Sequence, residues 1–141
     1  MKKIVFLFFV LLAGCAIVDP SAEVSRTLGL MNQAYKDKNI EQFMSFISPE
    51  YDGKRDLLQI AVENDFAGFS DVDYRTSVFQ TLIDPQTGVY RASVFYSRSA
   101  RSPRYGIDNQ SGETTLTFVK DKDGLKLVKM PDPELYGLIV P

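Results

Sequence analysis

Apolar and polar positions recur with two different periods along this 141-residue chain, and the change of period divides it. Between Asp19 and Asn39, Val24, Leu28, Met31 and Tyr35 fall at three- and four-residue steps, which places them on one face of a helix. Asp19 suits the N-cap, Pro20 the first turn, and Glu23 the positive end of the helix dipole. Asn39 can cap a second, short helix over IEQFMSFI, which Ser48-Pro49 stops. After YDGKRD, the stretch DLLQIAVENDFAGF predicts a third helix. It offers Leu57, Leu58, Ala61, Val62 and Phe69 to a core and ends at Gly68 and the polar Ser70-Asp71 step.

Beyond Asp71 the period falls to two, the signature of strands. DVDYRTSVFQTLID predicts a strand with Val72, Tyr74, Thr76, Val78, Gln80 and Leu82 on one face. DPQTG turns the chain, and VYRASVFYSRSA then groups Tyr90, Ala92, Val94 and Tyr96. ETTLTFVKD contributes Thr114, Leu116 and Phe118, and Lys122-Asp123-Gly124 turns into LKLVKM. SRSARSPRYG, Ser97 to Gly106, reads as a solvated hairpin loop. Short, turn-rich links favour an antiparallel meander. The expected class is α+β: three N-terminal helices packed on one face of a four-stranded antiparallel sheet. The last stretch, PDPELYGLIVP, is stiffened by its prolines and is expected to pack back over a sheet edge.

The N-terminal pattern is different again. Fifteen uncharged residues run from Ile4 to Val18, fewer than the roughly 20 that a spanning helix needs. Lys2 and Lys3 precede them and small residues close them, which gives the three regions of a secretory signal. That segment ends in Leu12-Ala13-Gly14-Cys15, which closely resembles the lipobox of bacterial lipoproteins. The resemblance implies that Leu12, Ala13 and Gly14 are recognised by a signal peptidase, which cuts before a diacylglycerol-modified Cys15 whose new amino group is then acylated. Residues 1–14 would be the signal peptide, 15–20 the lipidated N-terminus with a short linker, and 21–141 the domain. Ala16, where an aspartate would retain a lipoprotein in the inner membrane, implies the outer membrane and a domain facing the periplasm. Each buried methylene contributes about 0.8 kcal/mol, so three acyl chains would anchor the protein durably.

Charge and composition narrow the chemistry. Without Lys2 and Lys3 the chain carries 14 basic and 18 acidic residues, which speaks against nucleic acid, a partner that calls for a basic face. Cys15 is the sole cysteine, so the domain is expected to hold by packing without a disulfide. There is no histidine, which removes the commonest general base and metal ligand. No metal and no cofactor is expected. Asp121-Lys122-Asp123-Gly124 begins like a calcium loop, but the twelfth position from Asp121 is Asp132, where such a loop carries glutamate. Asp-Gly is also a favoured hairpin turn.

The order of elements, with FMSFISPEYDGKRD between the second and third helices and DGLKLVKM near the end, resembles the nuclear-transport-factor-2-like superfamily over about Ser21 to Tyr136. The resemblance implies a strongly curved sheet that wraps the helices into a cone, often open to a pocket. Tyr35, Phe66, Tyr74, Tyr90, Tyr96 and Phe118 are candidate pocket-lining residues, against the alternative that they are core. Arg98, Arg101 and Arg104 are candidates for contact with an anionic surface, each offering a bidentate fork. Some members of the superfamily are isomerases or dehydratases that use an Asp or Tyr, or a His-Asp pair, inside the cone, but this chain has no histidine and Asp65 and Asp73 read as capping or surface acids. No catalytic residue is therefore assigned. The expected function is a non-catalytic cone that binds a small apolar ligand or a protein partner, with a homodimer through the exposed sheet face left open. An Asp/Tyr isomerase or dehydratase, or a scaffold on anionic polymer, is the alternative. A buried carboxylate facing the pocket would favour the enzyme.

Overall fold

The computed structural model describes residues 19–139. Cys15 and the lipobox residues Leu12, Ala13 and Gly14 lie outside the described residues. No described helix is long and apolar enough to cross a membrane. Three helices come first: α1 (Pro20–Lys36), α2 (Ile40–Met44) and α3 (Arg55–Gly68). Four strands follow, β1 (Asp71–Ile83), β2 (Tyr90–Ser102), β3 (Gly106–Asp121) and β4 (Gly124–Lys129), paired antiparallel in chain order. The α+β expectation holds, with the helices laid into the concave face of a curved sheet.

Local chemistry starts the first two helices as the sequence implies. The Asp19 carboxylate accepts from the Ser21 amide at 3.0 Å, and Asn39 Oδ1 accepts from the Gln42 amide at 3.0 Å. Val24, Leu28, Met31 and Tyr35 are all fully buried on the inner face of α1. Glu23 reaches across to Lys120 on β3 at 2.9 Å and pins the start of α1 to the sheet. The shorter extent of α2 follows from a competing partner. Ile47 forms a parallel bridge with Leu127, and the Ser48 amide donates to the Leu127 carbonyl, so the chain leaves the helix to extend β4. Asp121 and Gly124 form the β3–β4 turn, with the Asp121 side chain accepting from the Asp123 amide at 2.7 Å.

Three expectations are corrected. Gln80 and Leu82 do not share a face with Val72 and Tyr74, because the β1–β2 register slips between Val78 and Gln80. The extra residue, Phe79, reverses the alternation. Thr81 then faces α1, where it accepts from the Ser21 hydroxyl, while Leu82 is 59 % exposed. Phe79 itself lies outside the sheet against Phe95, ring centroids 4.4 Å apart. Second, SRSARSPRYG is mostly strand. β2 continues to Ser102 and β3 starts at Gly106, so the pairing runs from Tyr90↔Phe118 to Ser102↔Gly106. Third, the segment after Met130 does not cross a sheet edge. It enters the open end of the cone, where Leu135 and Tyr136 are buried.

The reversal at Phe79 separates two leucines that hydropathy alone treats alike. Leu116→Ala is expected to cost about 2–5 kcal/mol, as for other buried leucines. Leu82→Ser should change stability by no more than about 0.5 kcal/mol. Urea denaturation of the two variants checks the pair.

Candidate functional site at the open end of the cone

One rung of the sheet builds the open end. Tyr74, Arg98 and Gln110 are register partners across β1, β2 and β3 and point to the concave side. Opposite them α1 presents Asn32 and Tyr35, and α3 presents Ala61 and Asp65. Asp65 follows Leu58, Ala61 and Val62 at helical spacing, so the helix turns a carboxylate onto its buried face. It is fully buried, which corrects its reading as a capping or surface acid. The aspartate pattern alone could not separate the two, since Asp65 also sits within a turn of the helix end. Asp73, by contrast, is part-exposed and pairs with Lys36 and Arg75, each at 3.5 Å.

The segment Glu134–Ile139 fills the space between these walls. Its Leu135 carbonyl accepts from Arg98 Nη1 at 2.8 Å and from the Tyr74 hydroxyl at 2.9 Å. The Tyr136 ring packs on Tyr35, Phe43 and Tyr74, with centroids 5.6, 5.1 and 4.8 Å away, and its hydroxyl donates to Asn32 Oδ1 at 2.5 Å. The Gly137 amide donates to the Tyr35 hydroxyl at 3.1 Å, and that hydroxyl donates to Asp65. Each oxygen of Asp65 also accepts a backbone amide at 2.7 Å, Oδ2 from Leu138 and Oδ1 from Ile139. Close approach requires glycine at Gly137 and is eased by it at Gly68, where only the end of the Ile139 side chain would have to shift. A Cβ on Gly68 would lie 2.7 Å from the Ile139 side chain, and Gly137 has φ +81° with Ala61 3.0 Å from where its Cβ would be.

Burial pushes the Asp65 carboxyl above its ordinary range, while Tyr35, the two amides and the Arg98 charge draw it back. Burial, then the neighbouring Tyr74 and Asp65, push the Tyr35 hydroxyl well up, so Tyr35 keeps its proton and donates it. Burial likewise raises Tyr74, against the pull of Arg98.

A groove of about 610 Å³ stays open beside the inserted segment. Leu57, Leu58, Ala61, Phe69 and Leu138 give it apolar walls, and Arg98, Asp108, Gln110, Asp132 and Glu134 give it polar ones. Burial raises the Glu134 carboxyl, and Tyr51, whose hydroxyl donates to it at 3.1 Å, pulls it down.

The six candidate aromatics do not line one cavity. Tyr35 and Tyr74 surround Tyr136, and Phe66 packs on Tyr35 with centroids 5.0 Å apart. Tyr90 and Phe118 face each other across β2 and β3 near the closed end, both in the core. Tyr96 lies across Gly112, with the Arg98 guanidinium 5.7 Å from its ring centre. The three arginines separate as well. Arg98 turns inward, Arg101 is three residues along the same strand and therefore on its outer face, and Arg104 is exposed in the turn. Sequence reasoning missed Asp65, Asn32 and Tyr136. The signal for Asp65 was its place in the apolar helical pattern; the other two carry none. No cluster of three or more potential metal ligands occurs among the described residues.

Asp65→Asn should destabilise the chain by roughly 1–3 kcal/mol, because an amide Nδ2 would then face a backbone donor. The pH dependence has a definite sign. Between the ordinary carboxylate value and the raised native one, the folded chain holds a proton that the unfolded chain has released. Stability then falls as pH rises through that window. The difference between wild type and Asp65→Asn should be largest at the acid end and shrink upward, in urea titrations repeated across pH.

No protein-family model matches the chain, and no curated protein matches it. Solved structures do. A provisionally named scytalone dehydratase from Novosphingobium aromaticivorans aligns with TM-score 0.67 at 12 % identity, over 77 % of this chain and 79 % of that one. A provisionally named dehydratase of the nuclear-transport-factor-2-like family from Streptomyces avermitilis aligns with TM-score 0.64 at 12 % identity, over 77 % and 92 %. A conserved protein from Planctomyces limnophilus aligns with TM-score 0.65 at 10 % identity, over 76 % and 89 %. Identities this low speak to the fold alone. The domain has the nuclear-transport-factor-2-like fold, three helices packed in a curved four-stranded antiparallel sheet.

Proposed function

We propose that this is a lipid-anchored envelope protein, matured at Cys15, whose cone domain is a non-catalytic binding module facing the periplasm. The anchor rests on the sequence: a charged start, an apolar run and Leu-Ala-Gly-Cys in succession. Only residues 16–19 separate Cys15 from α1, and at about 3.3 Å per residue that tether holds the domain close to the bilayer. The observation that carries the binding reading is the filled cone. Both Asp65 oxygens and the Tyr35 hydroxyl, the groups an acid–base enzyme would use, are engaged with the chain's own backbone. What stays accessible is the mixed apolar and polar groove beside them, suited to a small amphipathic molecule or to an apolar side chain of a protein partner.

The buried Asp65 supports one second reading, an isomerase or dehydratase using Asp65 as base and Tyr35 as acid. Such chemistry requires residues 135–139 to leave, because a general base must reach its proton. The provisional dehydratase names of two structural neighbours belong to those proteins.

Native mass spectrometry of the full-length protein, extracted gently from its own membrane, tests the proposal. The N-terminal peptide should begin at Cys15 and carry acyl mass; an unmodified Cys15 with residues 1–14 attached overturns the anchor. A small-molecule adduct on the domain is expected, and Leu57→Trp, which narrows the groove from its exposed wall, should remove it. An adduct that survives in Leu57→Trp places the ligand elsewhere and overturns the groove.

A further inference from the structure

Residues 131–139 belong to no helix or strand. Among the described residues, no backbone–backbone hydrogen bond ties them to the rest of the chain. They are held by side chains instead. Arg98 and Tyr74 grip the Leu135 carbonyl, Tyr35 the Gly137 amide, and Asp65 the next two amides. Recognition of main-chain groups, with a pocket for one anchoring side chain, is how proteins hold an extended peptide ligand. Tyr136 is that anchor, its ring in an aromatic cage and its hydroxyl on Asn32, which is itself fixed by donating to Thr76 at 2.9 Å. Gly137 is specified because its backbone lies against Ala61.

The segment is therefore separable from the sheet and helices, its hold on the core being the buried Leu135 and Tyr136 side chains. Removing it breaks no sheet pairing and no helical bond, and the connection from β4 runs through the exposed residues Pro131, Asp132 and Pro133. Its departure would leave a buried carboxylate with Tyr35 as its remaining donor and a buried aromatic cage around nothing. Both are costly states that call for a replacement of the same chemistry.

We propose that the open end of the cone is a peptide-binding cleft which residues 135–139 occupy in cis, and that the same segment of a second copy of this chain can take their place. A second copy is the source that the geometry supports, because its Leu-Tyr-Gly-Leu-Ile matches every group that now holds the resident segment. The resident one has the advantage of an intramolecular effective concentration, in the millimolar range for short connections. Exchange between copies is a low-cost route to dimers. It uses the cone interior and leaves the outer sheet face and the Phe79–Phe95 pair free. The inference does not depend on lipidation or on a ligand in the groove.

The test uses the full chain and a labelled peptide of residues 131–139. In Tyr136→Ala the resident segment is weakened and the cleft kept, so the peptide should bind at least tenfold more tightly than to the unaltered chain. Adding Asp65→Asn to that variant should weaken binding at least tenfold. Fluorescence anisotropy reads both, with circular dichroism to establish folding. An equimolar mixture of Tyr136→Ala (good cleft) and Asp65→Asn (good segment) should form a mixed dimer on size exclusion. Two monomers that nonetheless bind peptide would overturn the second copy as occupant. A folded Tyr136→Ala that binds no better than the unaltered chain would overturn the cleft. Hydrogen exchange on the unaltered chain decides the matter if Tyr136→Ala does not fold. The Leu138 and Ile139 amides should then exchange at least tenfold faster than core amides of β3; exchange only with global unfolding would overturn separability.

Discussion

A carboxyl group removed from water has to be met by donors, and in this protein the donors come from two distant places, a phenol on α1 and two backbone amides of the last described segment. Asp65 stands on α3, Tyr35 on α1, and the amides of Leu138 and Ile139 on the last described segment. Arg98 on β2 holds the carbonyl end of the same segment. The order of the open end of the cone follows from this set of bonds. Without it the helices would still pack on the sheet through Val24, Leu28, Leu116 and Leu127, and the closing segment would be held by the Tyr136 ring and its bond to Asn32. Desolvation of Asp65 opposes folding, and the donors offset it, so the arrangement favours a single geometry more than it adds stability.

The closure is what the proposed binding function rests on. A free carboxyl and phenol at the base of a cone are suited to proton transfer, whereas here the same pair is bonded to backbone amides. The fold is shared with proteins provisionally named dehydratases at 12 % identity, and a fold does not carry chemistry with it. In this chain Leu135 and Tyr136 lie buried inside the cone. The ring that occupies the cage belongs to the protein itself, and the accessible groove is displaced to the side, between α3 and the inserted segment.

Much of the fold was legible because its signals are local. The α1 face, the caps at Asp19 and Asn39 and the Asp-Gly turn depend on residues within a few positions of one another, and all are present. Signals failed where a distant partner decided. Nothing near Phe79 announces a bulge; it emerges from how β1 must bend around α1 while staying paired with β2. Ser97 to Gly106 reads as loop by its polarity, yet it continues the strands. Ser99↔Asn109 and Arg101↔Ile107 pair on an exposed end, where polar side chains carry no penalty. Asp65 is the sharpest case. An aspartate at a core position of a helix is ambiguous until the donors that would satisfy it are located, and two of them lie more than seventy residues away.

Sequence alone determined the existence of the three helices and four strands, their antiparallel order and the apolar faces outside the end of β1, because each follows from the period of hydrophobicity and from turn chemistry. The resemblance of Leu12-Ala13-Gly14-Cys15 to a lipobox, on which the proposed anchor rests, is likewise a matter of adjacent residues. Tertiary structure decided the rest: that the last segment enters the cone, that Tyr136 completes the aromatic cluster, and that Asp65 and Tyr35 bind backbone. These outcomes require side chains from α1, α3, β1 and β2 to converge on one short segment. Convergence of that kind is a property of the assembled chain, since no local pattern records which distant groups will be left facing one another once the sheet has curved.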